Sequence, residues 1–164
     1  MKKWLVLVVA LILLVGCQKK TENVLPEEMP ADFNFKVQFG INKRNSINTY
    51  DNTVTKDLIV DGTASTALQL TEDDMRAIYE EMKEIHIGTP KKLIPQSTCK
   101  QIPYSEDEWH ITIDGQTFDY SVSQQFCELT KDGKKLLALR EQIWSIVREK
   151  PAYQELPEAR GGYQ

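Results

Sequence analysis

Only 2 histidines and 3 cysteines occur in these 164 residues. His86 and His110 stand far apart, and neither an HExxH nor a CxxC is present. The chain therefore lacks the ligand spacing of a zinc site. No G-x-S-x-G frames a serine, and no glycine pattern of a phosphate or dinucleotide loop occurs. Positive charge is not in excess: 20 Lys and Arg stand against 24 Asp and Glu, for a net charge of −4. That balance argues against nucleic acid as a partner and against a broad electrostatic hold on anionic lipid. The longest apolar run, Trp4 to Val15, is about a dozen residues, whereas a membrane-spanning helix needs roughly 20. No metal or cofactor is expected from these residues.

What is present begins at the amino end. Lys2 and Lys3 precede the apolar run, and small residues follow it. A positive start, a short apolar stretch and small residues before a cut describe a secretory signal. Leu14-Val15-Gly16-Cys17 closes it and resembles the lipobox of bacterial lipoproteins. That resemblance implies diacylglyceryl transfer to the Cys17 thiol and cleavage before it, with Cys17 as the lipidated amino terminus. Two acyl chains hold a protein stably at a bilayer where one does not. The expected location is the cell membrane, lipid-anchored on its extracytoplasmic face. The expected organisation is a signal peptide over 1–16, then the lipidated cysteine and a flexible tether over 17–32. A domain over 33–150 and a tail over 151–164 follow.

Cys99 and Cys127 remain as an even pair in an exported chain. Outside the cytoplasm such a pair defaults to a disulfide, with two free buried thiols as the alternative. Residues 18–32 carry Pro26, Pro30, two lysines and Glu27-Glu28 without an apolar period, which reads as a tether that lifts the domain from the membrane.

Phe33, Phe35, Val37 and Phe39 alternate with polar residues, as in a strand with one buried face, and Gly40 ends it. Residues 42–52 are rich in Asn and Ser and read as a loop or a poor edge strand. Two β-branched runs, Thr53–Val60 and Ala64–Leu70, flank Asp61-Gly62, a hairpin signal. A strict two-residue loop sets Ile59 opposite Ala64 and Thr55 opposite Leu68. Those faces do not match cleanly, so a bulge or a longer loop is the other expectation. Thr71 with Asp74 opens a helix in the manner of a capping box, and Met75, Ile78, Tyr79, Met82 and Ile85 form its apolar face. Gly88 is its expected stop, and His86 reads as a favourable charge at the carbonyl end.

The strongest hairpin signal is Asp114-Gly115, because a type I′ turn needs positive φ at both central positions. It sets Trp109 opposite Tyr120, Ile111 opposite Phe118, Thr112 opposite Thr117 and His110 opposite Asp119. One face is then apolar and the other polar, as in a sheet covered on one side. A second helix spans Leu129–Arg148 with Asp132 as its expected cap and a stripe of Leu136, Leu139, Ile143, Ile146 and Val147. Pro151 breaks it, and Gly161-Gly162 is expected to leave the tail loose.

His110 and Asp119 form the one His–carboxylate pair that the register places together. A carboxylate-held general base is one reading, but no nucleophile stands beside it, and a cross-strand pair on a solvent face explains it as well. Glu106-Asp107-Glu108 lacks the oxygen spacing and turn glycine of a calcium loop and reads as a solvated loop. The Phe33-Phe35-Phe39 row reads as a core face rather than a ligand cavity.

Several stretches resemble a family of uncharacterised lipoproteins of Bacillus-type bacteria. They are Phe33-Asn34-Phe35 leading to Phe39-Gly40, Thr55-Lys56-Asp57-Leu58, Leu70-Thr71 with Ile78-Tyr79 and Met82, and Leu156-Pro157 with Gly161-Gly162-Tyr163. The resemblance implies an exported, membrane-tethered domain of unassigned activity and supplies no catalytic residues. Cys99 and Cys127 lie outside it.

The expected fold is α+β: an antiparallel sheet of about five strands with two amphipathic helices on one face. A small open barrel closed by the last helix is the runner-up. The expected function is a non-enzymatic binding or accessory module of the cell envelope. Its partners are the membrane, through the lipid, and an envelope protein, a peptide or a small ligand. The alternatives are an envelope hydrolase whose site forms only in space and an inhibitor or immunity-type lipoprotein.

Overall fold

Phe35, Val37 and Phe39 point to one side of β1 (Asn34–Gly40) and, with the preceding Phe33, are buried. The computed structural model describes residues 25–164. The expected signal peptide and Cys17 lie outside the described residues. β1 sits inside a fully antiparallel sheet, between β2 (Asn45–Asn48) and β5 (Glu106–Ile113). β3 (Thr53–Ile59) and β4 (Gly62–Ala67) extend the sheet beyond β2, and β6 (Gln116–Ser123) extends it beyond β5. The order is β4-β3-β2-β1-β5-β6, six strands where about five were expected. Its two ends do not pair, so the sheet is open and the barrel alternative is discarded.

β2 corrects the reading of residues 42–52. It is neither loop nor edge but an interior strand, with Ile47 buried between Val37 and Val54. One apolar residue in four gives no visible period, so neighbours on both sides, not its own pattern, hold it in place. The β3–β4 register also differs from the strict hairpin. Thr55 faces Ser65, not Leu68, and Lys56 faces Ala64. The expected bulge is real and falls between Asp57 and Ile59. The consecutive residues Asp57 and Leu58 are both buried there, and the shifted register places Leu68 on the core face.

α1 (Glu72–Glu84) starts with both bonds of the capping box. The Asp74 amide donates to Thr71 Oγ1 at 3.1 Å, and the Thr71 amide donates to Asp74 Oδ2 at 2.9 Å. Its stop is His86, not Gly88. His86 adopts φ 55 just past the helix, its amide donates to the Lys83 carbonyl, and the Ile87 amide donates to the Met82 carbonyl. These are the two bonds of a Schellman cap, completed by the buried Met82 and Ile87. A side chain in this left-handed conformation carries a steric cost that glycine escapes. His86→Gly is therefore expected to raise stability by about 0.5–1 kcal/mol, less the added freedom of the unfolded chain. Urea unfolding checks it, and a lowered midpoint refutes it.

The β5–β6 hairpin has the expected register throughout, with Asp114 and Gly115 at φ 49 and 70. α2 (Lys131–Arg148) is capped by Thr130, whose Oγ1 accepts from the Gly133 amide at 3.0 Å. Asp132, the expected cap, instead accepts from the Lys92 amide at 2.8 Å. Leu136, Leu139, Ile143 and Val147 are buried as expected, and Ile146 is partly so. Pro151 ends α2 and also opens the short α3 (Pro151–Gln154), where its missing amide costs nothing.

α1 and α2 cover the same face of the sheet, and the core lies between. Phe33 meets Tyr79 edge-on at 5.2 Å, and Trp144 meets both Phe39 and Tyr153 at 4.9 Å. Two expected flexible segments are docked. Residues 25–32 do not stand off the domain: Leu25 and Met29 pack on the core, and the Tyr79 hydroxyl donates to the Pro26 carbonyl at 2.7 Å. The tail is not loose either. Arg160 pairs in parallel with Ile59, and the Tyr163 hydroxyl donates to Asp57 Oδ2 at 2.6 Å. Gly161 has φ +90, and a Cβ there would lie 2.7 Å from Val60. Gly161→Ala is accordingly expected to release the tail, which limited proteolysis of the C-terminal segment would reveal.

Candidate functional site

Alternation along the strands leaves one sheet face without a helical cover. A polar row crosses it through five strands: Asp119, His110, Lys36, Asn48 and Thr53 stand at successive paired positions. The Asp114-Gly115 turn sets its first pair, because the turn fixes the register. Asp32 holds that turn from outside, accepting from the Asp114 and Gly115 amides at 2.9 and 2.7 Å.

His110 Nδ1 lies 2.7 Å from Asp119 Oδ1. The two side chains are 51% and 72% exposed, so solvent screens the pair and its contribution to stability is small. The Tyr50 ring leans beside the imidazole with centroids 5.6 Å apart. Its hydroxyl shares a 2.8 Å bond with Thr112 Oγ1 and donates to the Asn34 carbonyl at 3.3 Å. The Thr112 hydroxyl, two residues from His110 on the same face, is thus already engaged by a tyrosine. The arrangement offers an oriented imidazole, an ammonium, a carboxylate and an aromatic ring on a flat surface. That set suits hydrogen bonding and stacking of a polar partner.

Of these residues the sequence picked out only His110 and Asp119; Lys36, Asn48 and Thr53 join them through the strand registers, and Tyr50 was missed altogether. It sits in the turn before β3, and only the sheet brings it across to β5. The acidic triplet is also corrected. Residues 106–108 belong to β5, and Asp107 is wholly buried, in phase with Trp109, Ile111 and Ile113. Arg140 of α2 donates from Nε to Asp107 Oδ2 at 2.9 Å. Burial pushes the Asp107 carboxyl above its ordinary range, and the guanidinium opposes that shift without cancelling it. Asp107 Oδ1 and Trp109 Nε1 are buried without a partner among the described residues. The Phe33-Phe35-Phe39 row is core.

Cys99 and Cys127 form a disulfide with Cα atoms 5.5 Å apart. Around Cys99, Ser97-Thr98-Cys99-Lys100 has the Ser-x-x-Lys spacing of a serine activated by a lysine, which corrects the expectation that no such motif frames a serine. Here Ser97 Oγ accepts from the Cys99 amide, and Lys100 Nζ lies over the Phe126 ring at 5.7 Å. The two do not form a dyad. A shallow groove of about 320 Å³ runs between α1 and α2, lined by Ala77, Ile78, Glu81, Leu139, Ile143 and Ile146, among others. Among the described residues, no three His, Cys, Asp or Glu side chains gather as metal ligands, and no helix is long and apolar enough to cross a membrane. No protein-family model matches the chain, and none of the curated proteins matches it in sequence.

Proposed function

We propose that this chain is a lipid-anchored binding module of the cell envelope whose working surface is the uncovered sheet face. The observation that carries the reading is the row from Asp119 to Thr53, with Tyr50 beside it, presented on a rigid sheet backed by a packed core. A flat, hydrogen-bonding surface with one aromatic ring fits a polar partner such as a peptide or an envelope protein better than it fits a buried small substrate. The anchor belongs to the same reading. Leu14-Val15-Gly16-Cys17 and the apolar run before it support retention through a diacylglyceryl group on Cys17.

Both parts are testable. Mass analysis of the native protein is expected to show an amino-terminal, diacylated Cys17, and an unprocessed or unacylated terminus overturns the anchor. A photo-crosslinker at Gln38, on the open face, is expected to capture a partner that one at Ala77, on the helical layer, does not. His110→Ala should abolish that capture while stability stays within about 0.5 kcal/mol, because the His110–Asp119 pair is solvent-exposed. Equal capture from both faces refutes the assignment of the surface.

A further inference from the structure

Among the described residues, most of the basic side chains that form no ion pair gather in one place. Elsewhere most basic side chains reach a carboxylate, as Lys43 reaches Glu108, Lys56 reaches Glu158 and Lys150 reaches Asp74. Lys91, Lys92, Lys100, Lys131, Lys134 and Lys135 form no ion pair among the described residues. All six belong to residues 91–105 and 124–135. These two stretches make one lobe. The Cys99–Cys127 disulfide, a bridge between Lys100 and Phe126, and a 2.8 Å bond from the Gln101 amide to the Gln125 carbonyl join them. The Lys92 amide binds Asp132 at 2.8 Å, which draws the start of α2 into the same surface. Glu128 and Asp132 are its only carboxylates, and the stretch 91–105 has none.

Ile94 and Ile102, each 85% exposed, are the most exposed large hydrophobic side chains of the described residues, and both stand on this lobe. Bare isoleucines set among Lys92, Lys100, Lys131, Lys134 and Lys135 are what a surface needs to meet phosphate headgroups and the acyl boundary together. The chain's path supports the same orientation. Lys91 Nζ caps the carbonyl end of α1, donating to the Ile85 and His86 carbonyls at 2.9 and 2.6 Å. The first described residues lie along that same half of α1, where Lys83 Nζ donates to the Glu27 carbonyl at 2.8 Å. From Leu25 back to Cys17 the chain can reach at most about 28 Å.

We propose that this disulfide-stapled lobe is a second membrane contact, docking on the anionic headgroups of the bilayer that holds the lipid. It rests on the reading that the chain is anchored through Cys17. The overall negative charge does not oppose it, because the contact is local and screening confines it to about a Debye length.

The test is hydrogen exchange of the full chain on vesicles of phosphatidylcholine alone and of phosphatidylcholine mixed with phosphatidylglycerol. Amides of 91–105 and 131–135 are expected to exchange roughly tenfold more slowly on the anionic vesicles, and β2 and β3 to be unaffected. Charge reversal of Lys92, Lys134 and Lys135 to Glu should erase that slowing while the circular dichroism of the chain is unchanged. Equal exchange on both vesicles overturns the proposal, as does slowing that survives charge reversal. Protection by soluble polyglutamate but not by anionic vesicles overturns it in favour of an acidic protein partner. Co-sedimentation with the neutral vesicles and the mass at Cys17 report on the anchor separately. An unacylated chain would remove the anchor reading, and the exchange comparison would still decide the lobe.

Discussion

Replacing Arg140 with leucine is expected to cost about 3–5 kcal/mol, because it strands a buried carboxylate. Asp107 is 0% exposed, the Arg140 side chain is 11% exposed, and Nε donates to Oδ2 at 2.9 Å. The guanidinium also lies 5.0 Å over the Phe39 ring, so the substitution loses a stacking contact as well. The pH dependence separates the charge from the packing. Burial holds the Asp107 carboxyl above its ordinary 3.8, so the folded protein binds that proton more readily than the unfolded chain. The contribution of this group is fully favourable below 3.8 and falls as pH rises through the raised value. Without Arg140 the raised value moves higher, and the falling window widens upward. The loss in Arg140→Leu should therefore be larger at neutral pH than at about pH 4. Asp107→Asn in the same chain should recover most of it, since a neutral amide needs no counter-charge. Urea unfolding of the two variants at both pH values measures this. A loss equal at both, with no recovery in the double variant, would show that the pair contributes only shape.

Opening the disulfide is expected to cost about 3–4 kcal/mol in the chain-entropy account, because the bond closes a long loop in the unfolded chain. Cys99 and Cys127 are separated by 28 positions, and both are exposed, so a mild reductant reaches them without unfolding the core. Urea unfolding with and without reductant, and of Cys99→Ser with Cys127→Ser, should give the same lowered midpoint. The lobe itself should loosen first, since besides the bond it is cross-linked by a few exposed contacts: the Lys100–Phe126 bridge and its neighbouring backbone bonds, the Gln101 side chain on the Gln124 carbonyl, Lys100 over the Phe126 ring and the Lys92–Asp132 contact. An unchanged midpoint with thiols shown free by mass would mean that native contacts alone order these residues.

Asp74 carries the opposite sign. Burial pushes its carboxyl up, but the Lys150 ammonium at 2.5 Å and the Thr71 bonds outweigh that and hold it below its ordinary value. Its contribution is present above 3.8 and is lost as pH falls through the lowered value. Acid therefore weakens the start of α1 while it relieves Asp107.

The parts legible in advance share a short range. Thr71 and Asp74 satisfy each other's amides within one turn, and Asp114-Gly115 sets eight facing pairs from two residues. The His110–Asp119 contact followed from that turn. Asp107 was legible too, in phase with Trp109 and Ile111, but three consecutive acids masked the period. Other features were not legible. Ile47 gives β2 no period of its own. The bulge at Leu58 shifts a register that Asp61-Gly62 alone would set otherwise, and His86 took the left-handed position that composition assigns to Gly88.

By itself the sequence determined the faces of β1, β5, β6 and the two long helices, the tight hairpin and the capping box, and it made a Cys99–Cys127 disulfide the default over free thiols. Each depends on near-neighbour geometry or on a count of residues. Tertiary structure decided that β2 lies inside the sheet, that Tyr163 satisfies Asp57 from 106 positions away, that Arg140 neutralises Asp107, and that six lysines share one lobe. Those outcomes depend on which distant segments lower each other's free energy once the core closes. No local pattern records that sum.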